Sequence, residues 1–192
     1  YSLEYALHDA IDEIVVIVGY RAEDIINAYG ASYKGKKIRY VIQAEQRGLV
    51  HAIECAKEAL DGQDFMLFLG DEVFLNPHHD ALLDTFLNDN TFVICGMIQV
   101  EDKSLISKTY SALFDKDDVI QRLIEKPVNP PNNMMGTGNC AMRNEIFDFI
   151  ARTPVHFQRK EKELPDLIQC AIDDGKKVRL MKISDKYVNI NM

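Results

Sequence analysis

The sequence has 192 residues, of which 47% are hydrophobic and 27% are charged. Length and composition are typical of a single globular domain, and we interpret residues 1–192 as one domain. The 30 acidic residues outnumber the 22 basic ones, and the net charge of −8 argues against non-specific binding to nucleic acids or anionic membranes. Since no apolar run approaches the roughly 20 residues that cross a bilayer, we expect neither a nucleic-acid nor a membrane partner.

Apolar patterns predict alternating helices and strands through the first half of the chain. In order, they are a helix over 2–11, a strand over 14–18, a helix over 20–29, a strand over 36–42, a helix over 49–60, a strand over 65–69, a helix from Asn76-Pro77 to about residue 90 and a strand over 91–100. Such alternation implies right-handed crossovers between parallel strands.

The pattern changes from residue 111 onwards. Residues 111–114 and 119–124 flank the polar run 115–118, which predicts a hairpin. The remaining predicted elements are a strand over 135–142, helices over 143–151 and 165–174, and a strand over 177–183. We therefore predict an α/β fold with a mixed, mainly parallel central sheet.

Cysteine spacing bears on the cellular compartment. The four cysteines lie far apart and form no CxxC pair, which argues against a zinc site or a disulfide scaffold. We expect four small, buried side chains in a protein of the reducing cytoplasm. They are Cys55, Cys95, Cys140 and Cys170.

The stretch from Phe65 to Glu72 is a buried strand followed by a glycine and two acidic residues. A continuous apolar run is typical of a parallel strand covered on both faces, and ligands of open α/β sheets bind outside the carboxyl ends of the strands. Asp71 is therefore a candidate for holding a metal ion or a polar ligand, and Glu72 is interpreted as a bystander. The alternative is that Gly70-Asp71 only closes the strand as a turn.

Gln43 and Gly48 lie in a loop between a predicted strand and a predicted helix. An amide presents a donor and an acceptor together, as reading the edge of a nucleobase requires, and a glycine lets backbone approach a flat ring. The alternative is an ordinary polar loop.

Glu125-Lys126-Pro127 follows a predicted strand, and the proline keeps Lys126 out of helical geometry. The lysine is suited to hold a phosphate and the glutamate to accept hydrogen bonds from sugar hydroxyls. The alternative is a surface ion pair.

Two further polar stretches leave alternatives open. The run 136–139, which contains Gly138 and Asn139, lacks the spacing and lysine of a phosphate-binding loop. It either presents backbone N–H groups to a sugar or bends a strand. His78-His79-Asp80 suggests a zinc site, but adjacent histidines project to different faces of a helix, so we expect a solvated helix start instead.

Taken together and in this order, these pieces resemble the sugar-1-phosphate nucleotidyltransferases, in particular the glucose-1-phosphate uridylyltransferases and thymidylyltransferases. The resemblance spans nearly the whole chain and implies a Rossmann-like nucleotide-binding sandwich. The matching stretches are 14–20, 43–52, Leu69-Gly70-Asp71, Ile124-Glu125-Lys126-Pro127, Gly138-Asn139 and 187–191.

The resemblance implies a role for each candidate residue. Gln43 and Gly48 would contact the base, whereas Asp71 and Asn189 would bind Mg²⁺. The residues implied at the sugar 1-phosphate are Glu125 for the hydroxyls, Lys126 for the phosphate, and Gly138 with Asn139 beside the sugar ring.

The implied reaction is an in-line attack of the sugar phosphate oxygen on the α-phosphorus of a nucleoside triphosphate, with release of pyrophosphate. Lys126 and Asp71 are the implied catalytic residues, since such chemistry depends on positioning and charge neutralisation. The run 48–52 resembles enzymes that use UTP or dTTP with glucose 1-phosphate.

Three departures from the family pattern matter. The family's N-terminal glycine-rich loop is absent, Asn189 stands where many members carry Asp, and Ser111 replaces a glycine. Tyr1 lies inside an amphipathic segment and 187–192 has the pattern of a strand leaving the core, so we expect a chain truncated at both ends. We expect the 192-residue chain to be inactive by itself.

The missing loop and Asn189 favour one alternative function. The protein would then be a non-catalytic module that binds a nucleotide sugar or assembles with a catalytic partner. A further alternative is an unrelated nucleotide-binding α/β protein. Homo-oligomers are compatible with the resemblance, because family members usually assemble through elements outside this stretch.

Overall fold

The computed structural model describes residues 1–190, so Asn191 of the last matching stretch lies outside the described residues. Six α-helices are described there: α1 (Ser2–Tyr5), α2 (Ala22–Tyr29), α3 (Leu49–Cys55), α4 (Lys57–Leu60), α5 (His79–Asn88) and α6 (Leu164–Asp173). Two further segments form 3₁₀ helices, Lys103–Lys108 and Asn144–Arg152. None of the helices within residues 1–190 has the length and apolar character needed to cross a membrane.

The strands of residues 1–190 pair into four sheets. In chain order they are β1 (Glu13–Val18), β2 (Ser32–Tyr33), β3 (Lys36–Ile42), β4 (Phe65–Leu67), β5 (Glu72–Leu75), β6 (Val93–Gln99), β7 (Tyr110–Phe114), β8 (Ile120–Glu125), β9 (Met134–Met142), β10 (Val178–Lys182) and β11 (Lys186–Asn189).

The pairing is mixed, and the predicted α/β class is confirmed. β1 pairs with β3 in parallel, and the central sheet has the order β10-β6-β9-β4. Within that sheet β10 and β6 are parallel, whereas β9 is antiparallel to both β6 and β4. β7 and β8 form the predicted hairpin. Parallel pairing is therefore less extensive than the alternation of helices and strands predicts.

The apolar run at β4 has a different cause from the one predicted. Its described pairing is antiparallel, but both of its faces are covered. Phe65 and Leu67 pack on one hydrophobic cluster, whereas Met66 and Phe68 pack on the other. The continuous apolar run of β4 thus indicates that both faces of the strand are buried, and it does not indicate whether the neighbouring strand is parallel or antiparallel.

β6 separates the same two clusters. Val93, Cys95 and Met97 face the cluster that includes α3 and α6, and Ile94 and Ile98 face the cluster that includes α5. Because neighbouring residues of a strand point to opposite faces, one strand supplies both cores. Both cores in turn fix the ends of the strands, where the candidate residues lie.

Several predicted helices are shorter or begin later than expected. The first ends at Tyr5 rather than near residue 11, and the helix predicted over 49–60 is interrupted at Ala56. Asn76 has a φ of +52°, in the left-handed region, so Pro77 precedes the helix and α5 begins at His79. Right-handed helices do not accommodate that backbone conformation.

The cysteines are free thiols, and their burial differs. Cys95 and Cys140 are buried and lie directly opposite each other between β6 and β9, as the prediction of small buried side chains requires. Cys55 and Cys170 are only partly buried, so the prediction is wrong for this second pair.

Candidate active site

Asp71 and Asn189 come together because β11 lies antiparallel to β5. Their register places Asn189 opposite Glu72, and the Ile190 amide donates to the Asp71 carbonyl oxygen at 2.9 Å. The side-chain nitrogen Nδ2 of Asn189 lies 3.3 Å from Oδ2 of Asp71. Both side chains are partly exposed. The two predicted metal-binding residues are therefore neighbours, 118 positions apart in the sequence.

The donor set at this point fits Mg²⁺. Asp71 supplies a carboxylate and Asn189 an amide whose oxygen is a hard ligand, which suits a cation that takes few protein ligands alongside substrate phosphates and water. Within residues 1–190 no group of three or more His, Cys, Asp or Glu side chains is arranged to hold a metal. In the structure Asn189 turns its nitrogen towards Asp71, so its oxygen would serve as a ligand only after the amide rotates.

Glu72 is the centre of a buried hydrogen-bond network, a structural role that its interpretation as a bystander beside Asp71 did not predict. Its side chain is 3% exposed and accepts from the Gly138 amide at 3.2 Å and from the Tyr187 hydroxyl at 3.1 Å. Nδ2 of Asn139 also donates to it. A carboxylate buried in this way requires such donors to be stable. The sequence signal was its register with Phe74, which places the acid on the buried face of β5.

The network runs on in both directions from Glu72. On one side the Tyr187 hydroxyl oxygen lies 3.2 Å from Nδ2 of Asn189, which in turn contacts Asp71. On the other side Oδ1 of Asn139 lies 3.1 Å from Nε2 of His79. One chain of polar contacts thus joins the metal-binding candidates to the sugar-binding candidates Gly138 and Asn139.

His79 is buried in this network, which corrects the prediction of a solvated helix start. It is 3% exposed, and its ring stacks on Tyr5 with centroids 4.4 Å apart. Because Oδ1 of Asn139 can only accept, Nε2 of His79 must carry the proton. Nδ1 has no hydrogen-bond partner among residues 1–190. The spacing of His79 with Leu82, Leu83 and Phe86 was the signal that it belongs to the buried face of α5.

Burial shifts the ionisation of the network. It raises the pKa of Glu72 to about 7, against the lowering effect of the hydrogen bonds from Gly138 and Tyr187. Burial also lowers the pKa of His79 to about 4, so the imidazole is neutral at neutral pH. The pKa of Tyr187 is raised well above its usual range by burial and by the nearby Glu72 carboxylate. Each shift disfavours a charge inside the network.

Gly138 has two internal functions. Its N–H donates to Glu72, and a Cβ added at this position would lie 2.2 Å from the Leu69 side chain. The amide is therefore occupied, and the absence of a side chain is required by packing against Leu69. These contacts do not need a sugar. They also place Gly138 directly against the strand end that leads to Asp71.

Gln43 and Gly48 form a second group, at the carboxyl edge of the parallel pair β1–β3. The backbone N–H of Gln43 donates to the Val18 carbonyl at 2.8 Å. The side-chain nitrogen Nε2 of Gln43 donates to the Gly48 carbonyl at 3.1 Å. Gly48 has a φ of +86°, a conformation that favours glycine. A Cβ at this position would also meet the Glu161 carboxylate at 2.6 Å. The loop is therefore held by its own side chain and backbone.

Glu125 and Lys126 form a third group, at the end of β8. Their side chains lie 3.5 Å apart, and Arg159 contributes Nη2 at 3.2 Å from Glu125. Burial raises the pKa of Glu125, and Glu163 adds to the effect. Lys126 is exposed and has a φ of +43°, a left-handed conformation that is uncommon for a residue with a side chain. Its amide donates to the Thr109 carbonyl at 2.6 Å.

The segment 156–163 links the second group with the third and was not predicted from the sequence. Glu161 lies against Gly48, whereas Arg159 pairs with Glu125 and with Glu163. No motif marks these residues. The only local signal was the density of charge between two predicted helices.

Ser111 is accommodated although the family pattern has glycine there. The side chain is buried, and its hydroxyl oxygen lies 3.1 Å from both the Asn132 side-chain oxygen and the Met134 carbonyl oxygen, two acceptors that share its single O–H. The hydroxymethyl group thus fills space inside the protein.

The comparisons with known proteins agree on one family. The family model described as nucleotidyl transferase matches residues 1–187. A low-salt glycan biosynthesis nucleotidyltransferase of Haloferax volcanii is 33% identical over 181 residues, covering 90% of this chain and 49% of the relative. A UTP–glucose-1-phosphate uridylyltransferase of the same organism is 30% identical, covering 93% and 72%. A Streptomyces griseus glucose-1-phosphate thymidylyltransferase is 28% identical, covering 96% and 51%. The chain thus spans about half the length of two of these relatives.

Solved structures share the fold at low sequence identity. A UDP-glucose pyrophosphorylase complexed with UDP-glucose superposes with a TM-score of 0.81 at 17% identity, covering 99% of this chain and 81% of that one. A UTP-bound enzyme of the same type from Acinetobacter baumannii gives 0.82 at 16% identity, covering 99% and 76%. These similarities confirm the Rossmann-like α/β fold.

Proposed function

Because this chain belongs to the nucleotidyl transferase family, we propose that it transfers a nucleotidyl group from a nucleoside triphosphate to a sugar 1-phosphate and releases pyrophosphate. UTP or dTTP is the proposed donor and glucose 1-phosphate the proposed acceptor. The relatives named for uridylyl and thymidylyl transfer to glucose 1-phosphate support this choice. We also propose that residues 1–192 form one domain and that the protein acts in the cytoplasm.

The observation that carries the proposal is the contact between Asp71 and Asn189 and its connection to Gly138. The hydrogen bonds through Tyr187 and Glu72 connect the metal-binding candidates with the sugar-binding candidate Gly138. In-line phosphoryl chemistry depends on fixed positions rather than on a covalent nucleophile. No Ser, His and Asp triad is required for it.

In the proposed reaction the residues of this chain bind, orient and neutralise charge. Gln43 and Gly48 bind the base, Lys126 holds the phosphate of the sugar, and Glu125 accepts from its hydroxyls. Asp71, with the Asn189 oxygen, would hold Mg²⁺, which supplies charge neutralisation at the phosphates when bound. Arg159 limits the movement of Glu125, since it pairs with that carboxylate at 3.2 Å.

Pyrophosphate release tests the proposal directly. A full-length version of the protein is incubated with glucose 1-phosphate, Mg²⁺ and each of UTP, dTTP, CTP, ATP and GTP. Residues 1–192 alone are expected to release no pyrophosphate, because they lack the family's glycine-rich loop. We expect release with UTP or dTTP, and a loss of about 100-fold or more in Asp71→Ala, because one protein carboxylate anchors the metal. Silence with all five nucleotides, in protein that also fails to bind UDP-glucose, would contradict the proposal.

A second candidate function is a non-catalytic module that binds a nucleotide sugar. Asn189 favours it, because an amide brings no charge to the metal and turns its nitrogen towards Asp71. Calorimetry separates the two functions. A binding module retains its affinity for UDP-glucose in Asp71→Ala and releases no pyrophosphate, whereas the enzyme loses Mg²⁺-dependent turnover.

A further inference from the structure

The amide of Gln43 is oriented by two neighbours. Its Nε2 lies 3.1 Å from the Gly48 carbonyl oxygen and 2.9 Å from Nδ1 of His51. A backbone carbonyl only accepts, so the nitrogen of the Gln43 amide, not its oxygen, must face Gly48. Within residues 1–190 no hydrogen-bond donor is found for Oε1 of Gln43. The two described contacts of the Gln43 amide thus use its nitrogen and leave its acceptor, Oε1, available to a ligand.

Two hydrogen-bond donors face the His51 ring, which has only one acceptor nitrogen when it is neutral. Nδ1 faces the Gln43 amide nitrogen, and Nε2 lies 2.8 Å from Nη2 of Arg47. A neutral imidazole has one N–H and one acceptor nitrogen, and an arginine can only donate. In any one molecule, therefore, only one of the two contacts of a neutral His51 ring, with Gln43 or with Arg47, is a hydrogen bond. A protonated ring would make neither of them.

Exposure indicates which contact gives way. The Arg47 side chain is 64% exposed and has Glu45 at 3.4 Å as another partner. Exposed charged contacts contribute little, about 0–1 kcal/mol. Gln43 is partly buried and already fixed by Gly48. Nδ1 of His51 thus accepts from Gln43, and the ring proton lies on Nε2, 3.8 Å from the Cys55 sulfur, a weak acceptor.

We propose that His51 is a positioning residue that selects the nucleobase: by accepting from Gln43 it holds Oε1 outward, so the site takes a base edge that carries a ring N–H. Uracil and thymine present such an edge, whereas cytosine presents a ring nitrogen that only accepts. The proposal rests on the proposed function, since it takes Gln43 as the residue that contacts the base.

Uracil and cytosine nucleotides are matched probes, because they have the same size and differ at this edge. Calorimetry with UMP and CMP gives the affinity ratio for the wild type and three variants. His51→Leu removes the acceptor. His51→Asn restores one, since Oδ1 of Asn can take the place of Nδ1. Arg47→Gln is the control for the exposed contact.

We expect the wild type to prefer UMP, and His51→Leu to lower the preference by roughly 3- to 10-fold, the value of one hydrogen bond. His51→Asn should keep most of the preference, and Arg47→Gln should leave it unchanged. A loss of preference in His51→Asn equal to that in His51→Leu, or an unchanged ratio in His51→Leu, would overturn the proposal. Thermal unfolding of each variant confirms that it is folded.

Nitrogen-15 NMR of the ligand-free protein tests the first step separately. We expect Nδ1 of His51 to be unprotonated and Nε2 to carry the proton, in the wild type and in Arg47→Gln. A proton on Nδ1 would overturn the positioning role even if UMP binds. Failure of every nucleotide to bind, with the expected tautomer present, would instead refute the proposed function on which the selection rests.

Discussion

The surroundings of Glu72 and of Glu125 show two ways to place an acid in one site. Glu72 is buried with partners on three other residues, and burial raises its pKa to about 7. Glu125 lies between Lys126 and Arg159, and its Lys126 neighbour is exposed. The first arrangement fixes protein geometry and the second leaves a cation accessible to a ligand. Acids that look equivalent in sequence thus serve architecture in one region and, in the proposed function, recognition in the other.

Removing each acid tests this contrast most strongly. We expect Glu72→Ala to lower the free energy of unfolding by about 3–5 kcal/mol, because it leaves buried donors without an acceptor. Glu125→Ala should cost only about 1 kcal/mol, since its partners can turn to solvent. Urea unfolding of the two variants provides the measurement, and equal losses would contradict the contrast.

Glu72 and His79 should contribute to the stability of the protein with opposite dependences on pH, which partly cancel in the wild type. Glu72 has a pKa of about 7 against an ordinary value of 4.5, so its contribution to stability is full below 4.5 and is lost as pH rises through 7. His79 has a pKa of about 4 against 6.5, so its contribution is full above 6.5 and is lost as pH falls through 4. Between pH 4.5 and 6.5 the two slopes oppose each other.

Single variants should reveal each slope. The stability difference between the wild type and Glu72→Gln should fall by about 3 kcal/mol from pH 4.5 to 7, since each pKa unit is worth about 1.4 kcal/mol. The difference between the wild type and His79→Gln should rise by a similar amount from pH 4 to 6.5. The measurement is chemical denaturation of the wild type and both variants at several pH values. If the two stability differences changed with pH in the same direction, the opposite contributions of Glu72 and His79 would be refuted.

Packing at Gly138 gives a smaller effect of the same architectural kind. Gly138→Ala should destabilise the protein by about 1–3 kcal/mol, because the added methyl group meets Leu69. A Leu69→Ala change in the same chain should recover part of that loss by making room. Unfolding of the two single variants and the double variant measures the coupling, and simple additivity would show that Leu69 is not the obstacle.

Lys126 should show the smallest effect on stability. It is exposed, so Lys126→Ala should change the free energy of unfolding by no more than about 0.5 kcal/mol. The affinity of the Lys126→Ala variant for glucose 1-phosphate should nevertheless be about 10-fold lower than that of the wild type, because the variant lacks the proposed charge at the phosphate. Calorimetry beside unfolding compares the two quantities, and a large loss of stability with unchanged affinity would assign Lys126 to architecture instead.

The sequence allowed prediction of residues at the ends of strands, but not of the contacts between them. Asp71 was found because an acid follows an apolar run, whereas Asn189 came from the family resemblance, and the structure makes them neighbours. The burial of Glu72 was not predicted and His79 was misjudged, because their burial depends on partners that are distant in sequence, Asn139 above all. Local patterns report which face of an element is apolar. They do not report which polar groups will meet across it.

The segment 156–163 was missed for a related reason. Arg159 and Glu161 match no motif, and their importance comes only from lying against Glu125 and Gly48. The predicted hairpin, in contrast, succeeded because turn residues and strand spacing are local properties. Tertiary placement of charged loops is the part that sequence patterns leave undetermined.

The central sheet also constrains how the chain can fold. β6 lies between β10 and β9, so Val93 pairs with Val178 on one side and with Met142 on the other. A nascent chain cannot complete this strand until residues near 180 have left the ribosome. Such long-range pairing slows folding and leaves apolar strands exposed during synthesis. The order of these strands therefore favours completion of the central sheet after, rather than during, synthesis of most of the chain.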